Sequence, residues 1–200
     1  MHGHGMFDKI LKFEKDLAEY TGAKYAIMTD CCTHAIELCL RYDRTKELVM
    51  TPWTYLSIPM TMHKLGIKYY FKEEEWTGEY QFHGSRIWDS ARLCKQGMYR
   101  KGQMQCLSFG HTKPLHIGRG GAIILDDERA YKEIIRMRYD GRDLSISPWQ
   151  AQKTFRVGYH YKPTPEEAEL GSALLKGLWE SNPDPVHVDY PDLREISITD

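Results

Sequence analysis

Apolar side chains recur at three-and-four spacing through Phe7, Ile10, Leu11, Leu17 and Ala18, with Glu14 on the same stripe, and the run stops at Gly22. That pattern predicts an amphipathic helix over residues 6–21 closed by a glycine. Short apolar runs at residues 25–28, 47–50 and 67–71 read as strands, and the stretches between them, 33–42 and 55–65, read as helices. Further strands are expected at 86–88, 104–109 and 122–125, followed by a helix from Asp127 to about Tyr139 that stops at Gly141. Thr164-Pro165-Glu166-Glu167 supplies a hydroxyl cap, a first-turn proline and a glutamate three residues on, so a last helix should run from there to about Glu180.

Strand and helix alternate over much of the chain, which implies an α/β fold with three layers and a largely parallel sheet. Residues 72–84 carry neither period and read as a surface loop, with the triple glutamate as a solvated face. Residues 142–158 are irregular. Residues 1–180 are expected to form one domain and residues 181–200, where Pro183, Pro185 and Pro191 stand among aspartates, an extended tail on the surface or against a partner.

The chain has 200 residues, 42% of them hydrophobic and 28% charged, enough for one sizeable core and cramped for two. A net charge of -1 with interspersed signs gives no basic stripe, which argues against nucleic acid as a partner. No run of eighteen apolar residues offers a membrane span, and the opening residues lack an apolar signal core. Cys31, Cys32, Cys39, Cys94 and Cys106 are odd in number and lack C-x-x-C spacing, so they read as reduced and the protein as cytoplasmic. His2 and His4 have no further ligands at metal-site spacing, nor do Cys31, Cys32 and His34, and no metal is expected.

The most informative pair is Asp89, in Arg86-Ile87-Trp88-Asp89-Ser90-Ala91, and Lys113, in Ser108-Phe109-Gly110-His111-Thr112-Lys113. Each ends or follows an apolar run that reads as a buried strand. A lysine and a carboxylate so placed suit pyridoxal phosphate (PLP), whose chemistry needs an amine to hold the aldehyde and an acid to keep the pyridine nitrogen protonated. Two common surface residues are the competing reading, and the surrounding motifs decide between them.

Leu107-Ser108-Phe109 before the lysine and Gly118-Arg119-Gly120-Gly121-Ala122-Ile123-Ile124-Leu125 after it resemble the DegT-type nucleotide-sugar aminotransferases, a fold-type-I PLP family. The resemblance extends to residues 13–26, to Thr51-Pro52-Trp53-Thr54-Tyr55, to Asp89-Ser90-Ala91 and to Gly158-Tyr159-His160-Tyr161-Lys162, in the same order along the chain. It implies a reduced version of the PLP-binding large domain, with Lys113 and Asp89 catalytic. Thr33 and Ser108 then fall where the family holds the cofactor phosphate; ordinary helix capping and local backbone satisfaction are their plainer roles. Tyr55 falls where an aromatic ring covers the cofactor face, against an ordinary core role. His111 either tunes Lys113 or bonds locally.

The chain also departs from the family. Cys31-Cys32-Thr33 replaces a Ser-Gly-Thr, so Cys32 stands where a glycine lets backbone approach the phosphate, and the anion is expected slightly farther out. Arg92 stands where glutamine or histidine is common near the ring hydroxyl, and an arginine only donates. His160 and Lys162 replace the asparagine and arginine of a segment that reaches the neighbouring subunit's site in a homodimer. The sequence between the Phe71 and Arg86 equivalents is short, and the small domain that follows the Thr164 helix in the family is absent or reduced.

The resemblance implies an aminotransferase that moves an amino group from glutamate or glutamine to a nucleotide-linked keto-sugar, with PLP as cofactor. A PLP-dependent sugar dehydratase is the nearest alternative, but that branch resembles this one with histidine at the lysine position. A non-catalytic or partner-dependent PLP-binding protein is the alternative from another class, and an unrelated open α/β domain is the third.

Overall fold

The computed structural model describes residues 4–199, so His2, set aside above, lies outside it. The amphipathic stripe at the amino end forms α1 (His4–Thr21), and Gly22 takes the left-handed conformation (φ 77°) that releases the chain into β1 (Tyr25–Thr29). There follow α2 (Cys32–Tyr42), β2 (Glu47–Met50), α3 (Ser57–Leu65), β3 (Lys68–Phe71), β4 (Tyr80–Gln81), β5 (Ile87–Asp89), β6 (Met104–Ser108) and β7 (Gly121–Leu125). Two helices complete the order, α4 (Glu128–Arg138), capped by the Asp127 carboxylate, and α5 (Pro165–Ser181), opened by the expected capping box of Thr164 and Glu167.

Three layers result. Side chains alternate across the sheet, so Ala26, Met28, Leu107, Ala122 and Ile124 meet α1 and α5 on one face, where Phe13, Leu17, Ala168 and Leu175 are buried. Ile27, Cys106, Ile123 and Leu125 face the other way, against Ile36 of α2, Ile58 of α3 and Ile134 of α4. Gly171 of α5 sits against the Phe13 ring and Ile117, and a methyl group there would lie 2.7 Å from the ring.

The α/β class and the layering follow the sequence, but the sheet is mixed instead of largely parallel. Its order is β1-β7-β6-β5-β4, β2 and β3 form a separate parallel pair, and among the described strands only β5-β6 and β2-β3 pair in parallel. The reason lies in two direct connections, from β4 to β5 and from β6 to β7, where no helix intervenes. The chain turns back directly from β4 to β5 and loops back from β6 to β7, and a direct return makes antiparallel neighbours. The same region contains the strand that sequence periodicity missed, β4, only two residues long.

Because β1 and β6 both run against β7, and β5 runs with β6, the carboxyl ends of β1, β5 and β6 lie along one edge. Thr29 and Ser108 both pair with Gly121 there. Ligands of open α/β sheets collect beyond such an edge.

Glu37 ties this side of the molecule together. Its buried carboxylate accepts from Arg41 Nε at 2.8 Å, Lys64 Nζ of α3 at 2.8 Å and the Tyr161 hydroxyl at 3.1 Å. Burial works against its ionised form, but Lys64 and Arg41 outweigh that and hold it below the usual carboxylate range. Glu37→Gln is therefore expected to cost about 1–3 kcal/mol at neutral pH, the worth of hydrogen bonds to charged groups. A carboxyl lowered by folding contributes stability above its unfolded pKa and loses it as pH falls through the folded one. Urea melts of both proteins should accordingly converge on acidification.

Candidate active site

A cavity of about 390 Å³ opens at the shared strand edge, and Cys32, Thr33, Tyr55, Asp89, Arg92, Ser108, His111 and Lys113 all line it. Each arrives by a different route. Asp89 ends β5, Ser108 ends β6, Thr33 lies in the first turn of α2 just beyond β1, and Tyr55 lies in the turn between β2 and α3. Lys113 follows β6 in a turn closed by its own N–H to the Gly110 carbonyl at 3.0 Å.

Asp89 is buried, with both oxygens engaged. Oδ1 accepts from the Ala91 amide at 3.0 Å, and Oδ2 accepts from the Tyr80 hydroxyl at 2.9 Å. Burial pushes the carboxyl above its ordinary value, while the Ala91 N–H, the Tyr80 hydroxyl, Lys113 and Arg92 pull the other way. A further positive charge set against it would draw it down again.

Lys113 is half-buried, and its pKa is lowered first by burial and then by the Arg92 guanidinium. More of it is therefore the free amine at a given pH than of a solvated lysine. Arg92 reaches the same loop by donating from Nη1 to the Thr112 carbonyl at 3.3 Å, and its Nε lies 3.4 Å from the Tyr190 hydroxyl. The arginine thus bridges the strand-end loop after Asp89, the lysine loop and the tail.

One end of the cavity is made of the amino end of α2 and hydroxyls. The amino-terminal turn of α2 brings its positive dipole end to the lining. Thr33 Oγ1 lies 2.8 Å from Ser57 Oγ, and Ser57 also lines the cavity. The Cys32 thiol is buried and donates to the Cys106 carbonyl at 3.6 Å, so the bulk that replaces the expected glycine packs into the core at the cavity wall. Close packing here falls to Gly121, where a methyl group would overlap the Cys32 amide. An amine, a buried carboxylate, an aromatic ring and a cluster of hydroxyls at a helix amino end are the donor set that PLP requires, and the residues present fit it.

His160 is not among the residues lining this cavity. It is exposed, pairs with Tyr139 and meets the Asp140 carboxylate at 3.2 Å. Its neighbour Tyr161 is held close to α2, stacked on His34 with ring centroids 3.6 Å apart.

Ser57 escaped sequence reasoning, and so did the two aromatic lining residues, Trp76 and Tyr190. They stack on each other, with ring centroids 5.9 Å apart, and also line a second cleft of about 590 Å³ with Trp53, His187 and Asp189. Tyr190 belongs to the tail, which runs back across the molecule. The Val186 N–H bonds to the Arg92 carbonyl at 3.2 Å, the Leu193 N–H bonds to the Pro52 carbonyl at 3.1 Å, and Leu193 is buried. The one available signal was an isolated tyrosine among prolines and aspartates.

Asp30, Cys31 and His34 form a potential ligand trio with atoms within 4.8 Å of one another. Asp30 is engaged by His34 Nδ1 at 2.7 Å and by Arg119 at 3.3 Å. Burial opposes protonation of His34, but Asp30 and the Cys31 thiol outweigh it and the pKa is pushed up to about 9, a charged state that does not ligate metals. The five cysteines are free, and no helix among the described residues is long and apolar enough to cross a membrane.

Comparison with solved structures gives the same fold. The chain is similar to the sugar aminotransferase CalS13 from Micromonospora echinospora (TM-score 0.71, 16% identity, covering 90% of this chain and 62% of that one). It is similar to Helicobacter pylori PseC, an aminotransferase involved in the biosynthesis of pseudoaminic acid (TM-score 0.71, 16% identity, 86% of this chain and 58% of that one). It is also similar to a GDP-4-keto-6-deoxymannose-3-dehydratase, ColD (TM-score 0.70, 16% identity, 86% and 61%). In each case this chain spans less than two thirds of the other's length. No curated protein matches it by sequence. The model of one protein family does match, over residues 4–75 and 88–183, and its two segments take in every strand end that lines the cavity. The chain therefore belongs to the DegT/DnrJ/EryC1/StrS aminotransferase family.

Proposed function

We propose that this protein is a PLP-dependent sugar aminotransferase that takes an amino group from glutamate or glutamine and delivers it to a keto-sugar carried on a nucleotide. The observation that carries the reading is the placement of a desolvated Lys113 and a buried Asp89 in one cavity lined by hydroxyls and the amino end of α2. PLP, when bound, supplies an electron sink for the carbanion that forms when a proton leaves the donor's α-carbon. Asp89 is the carboxylate that would pair with the ring nitrogen and keep it protonated. Thr33, Ser108 and the α2 amino end would hold the phosphate, and Cys32 would contribute through its backbone. Tyr55 would offer its ring to the cofactor face, and Lys113 would hold the cofactor aldehyde and carry the proton that leaves the donor's α-carbon.

Arg92, which bridges the lysine loop and Tyr190, orients this wall of the cavity. His160 serves the cavity of a second copy in a homodimer, in keeping with its exposure and its exclusion from its own cavity. The dehydratase reading gains nothing from these residues, because Lys113 stands where that branch has histidine. Reduced cysteines agree with a cytoplasmic protein.

The test is to load the protein with PLP, add glutamate, and measure both the visible spectrum and the 2-oxoglutarate released. One equivalent of keto acid per bound PLP, with conversion of the cofactor to its amine form, is the expected result. PLP binding without keto acid from glutamate or glutamine would favour the non-catalytic alternative.

A further inference from the structure

Asp89 does not stand alone. The hydroxyl that donates to its Oδ2 belongs to Tyr80, on the two-residue strand β4, and Thr54 Oγ1 lies 2.5 Å from the same hydroxyl. A phenol has one proton, and Tyr80 spends it on Asp89, so Thr54 must be the donor to Tyr80. Hydrogen bonds thus run in one direction, from the turn after β2, through the β4 phenol, to the carboxylate at the end of β5. The Tyr80 ring is fixed by Trp76 at 4.9 Å and Phe82 at 5.4 Å between centroids, and all three polar residues are buried.

We propose that Tyr80 is the positioning residue for Asp89: it occupies Oδ2 from one side, fixes the carboxylate plane together with the Ala91 amide on Oδ1, and leaves the remaining lone pairs aimed at the cavity. The inference rests on the reading of Asp89 as the carboxylate that faces the cofactor. Burial and the adjacent carboxylate push the Tyr80 phenol well above its ordinary range, so it keeps the proton it donates. Each hydrogen bond to the charged form offsets part of its desolvation, so the Tyr80 donor adds to the Ala91 amide in favouring the ionised carboxyl against its burial. The other groups acting on Asp89 are Lys113 and Arg92, which favour its charge, and the Cys32 thiol, which stays protonated because burial and Asp89 raise its pKa.

Tyr80→Phe keeps the ring and removes only the donor. In protein without PLP, the Asp89 carboxyl, followed by carbon-13 NMR against an Asp89→Asn control, should titrate about one pH unit or more higher in Tyr80→Phe than in the native chain. With PLP bound, the glutamate half-reaction should slow about tenfold in Tyr80→Phe, and Tyr80→Phe should add nothing in an Asp89→Asn background. An unchanged Asp89 titration in a folded variant, or an equal slowing with and without Asp89, would overturn the proposal. Should Tyr80→Phe fail to fold, Thr54→Val removes the proton donor to Tyr80 without touching Asp89. It should raise the Asp89 midpoint by a smaller amount, and no rise would overturn the proposal. If no variant, nor the native chain, reacts with glutamate, the aminotransferase reading fails while the titration still decides the role of Tyr80.

Discussion

Lys113→Ala should abolish amino transfer from glutamate, slowing the half-reaction by about 10³ to 10⁴-fold, while the protein stays folded. The size follows from the two uses proposed for one amine, as the group that holds the cofactor and as the base that moves the proton. Burial and the adjacent Arg92 lower its pKa, which suits both proposed uses. In the protein without PLP, the rate at which the Lys113 amine takes up the cofactor aldehyde should therefore rise with pH through that lowered pKa and level off above it. Keto acid release and the cofactor spectrum, measured on native and variant proteins across the pH range, check both statements. A Lys113→Ala protein with the native rate would end the assignment. Stability should move the other way. A lysine whose pKa is depressed by folding is a net cost wherever it is charged in both states, so Lys113→Met, which keeps the stem, should raise the melting temperature at neutral pH. That gain should vanish as pH rises past the ordinary lysine range.

Arg138→Leu should cost about 3–5 kcal/mol, the largest stability loss expected of any single substitution considered. Arg138 and Glu14 form a buried ion pair joining α4 to α1, each side chain 4% exposed. The same Glu14 oxygen accepts the Met28 N–H at 2.8 Å, and Arg138 Nη1 donates to the Met28 carbonyl at 2.6 Å, so the pair grips both backbone groups of one β1 residue. Burial already raises the Glu14 carboxyl above its ordinary value, with Arg138 opposing. Without the arginine the carboxyl rises further. A carboxyl raised by folding favours the folded state most at low pH, so the deficit of Arg138→Leu should narrow as pH falls. Replacing both, as in Glu14→Leu with Arg138→Leu, should recover much of the loss, because no charge is then left unpaired. Urea unfolding of the single and double variants at two pH values decides the matter.

The helices were legible in the sequence because their signals are local. The α1 stripe, the Gly22 stop, the Asp127 cap and the Thr164 box each depend on residues a few positions apart, and each stands in the structure. Sheet direction was not, although the reason was visible: after β3 come four strands with no helix between them, and alternation no longer applies. The cavity lining was legible where residues sit at strand ends or follow a motif, as with Asp89, Ser108 and Lys113. Trp76 and Tyr190 were not, because they lie in segments without period, and only tertiary contacts bring the tail against the strand-end loops. Tyr80 was hidden for a third reason. A strand of two residues carries too little alternation to be recognised, yet that strand is what points the phenol at Asp89.

The pairing of β1 with β7 has a consequence for how the chain is made. β1 is an edge strand whose only partner in the sheet is β7, and its residues after Tyr25 are all buried in the finished protein. A ribosome adding roughly 5–20 residues per second exposes this apolar segment for about 5–20 seconds before β7 follows it out of the exit tunnel. Throughout that interval the nascent chain carries an unpaired sticky edge, and a holding chaperone would find its natural target there.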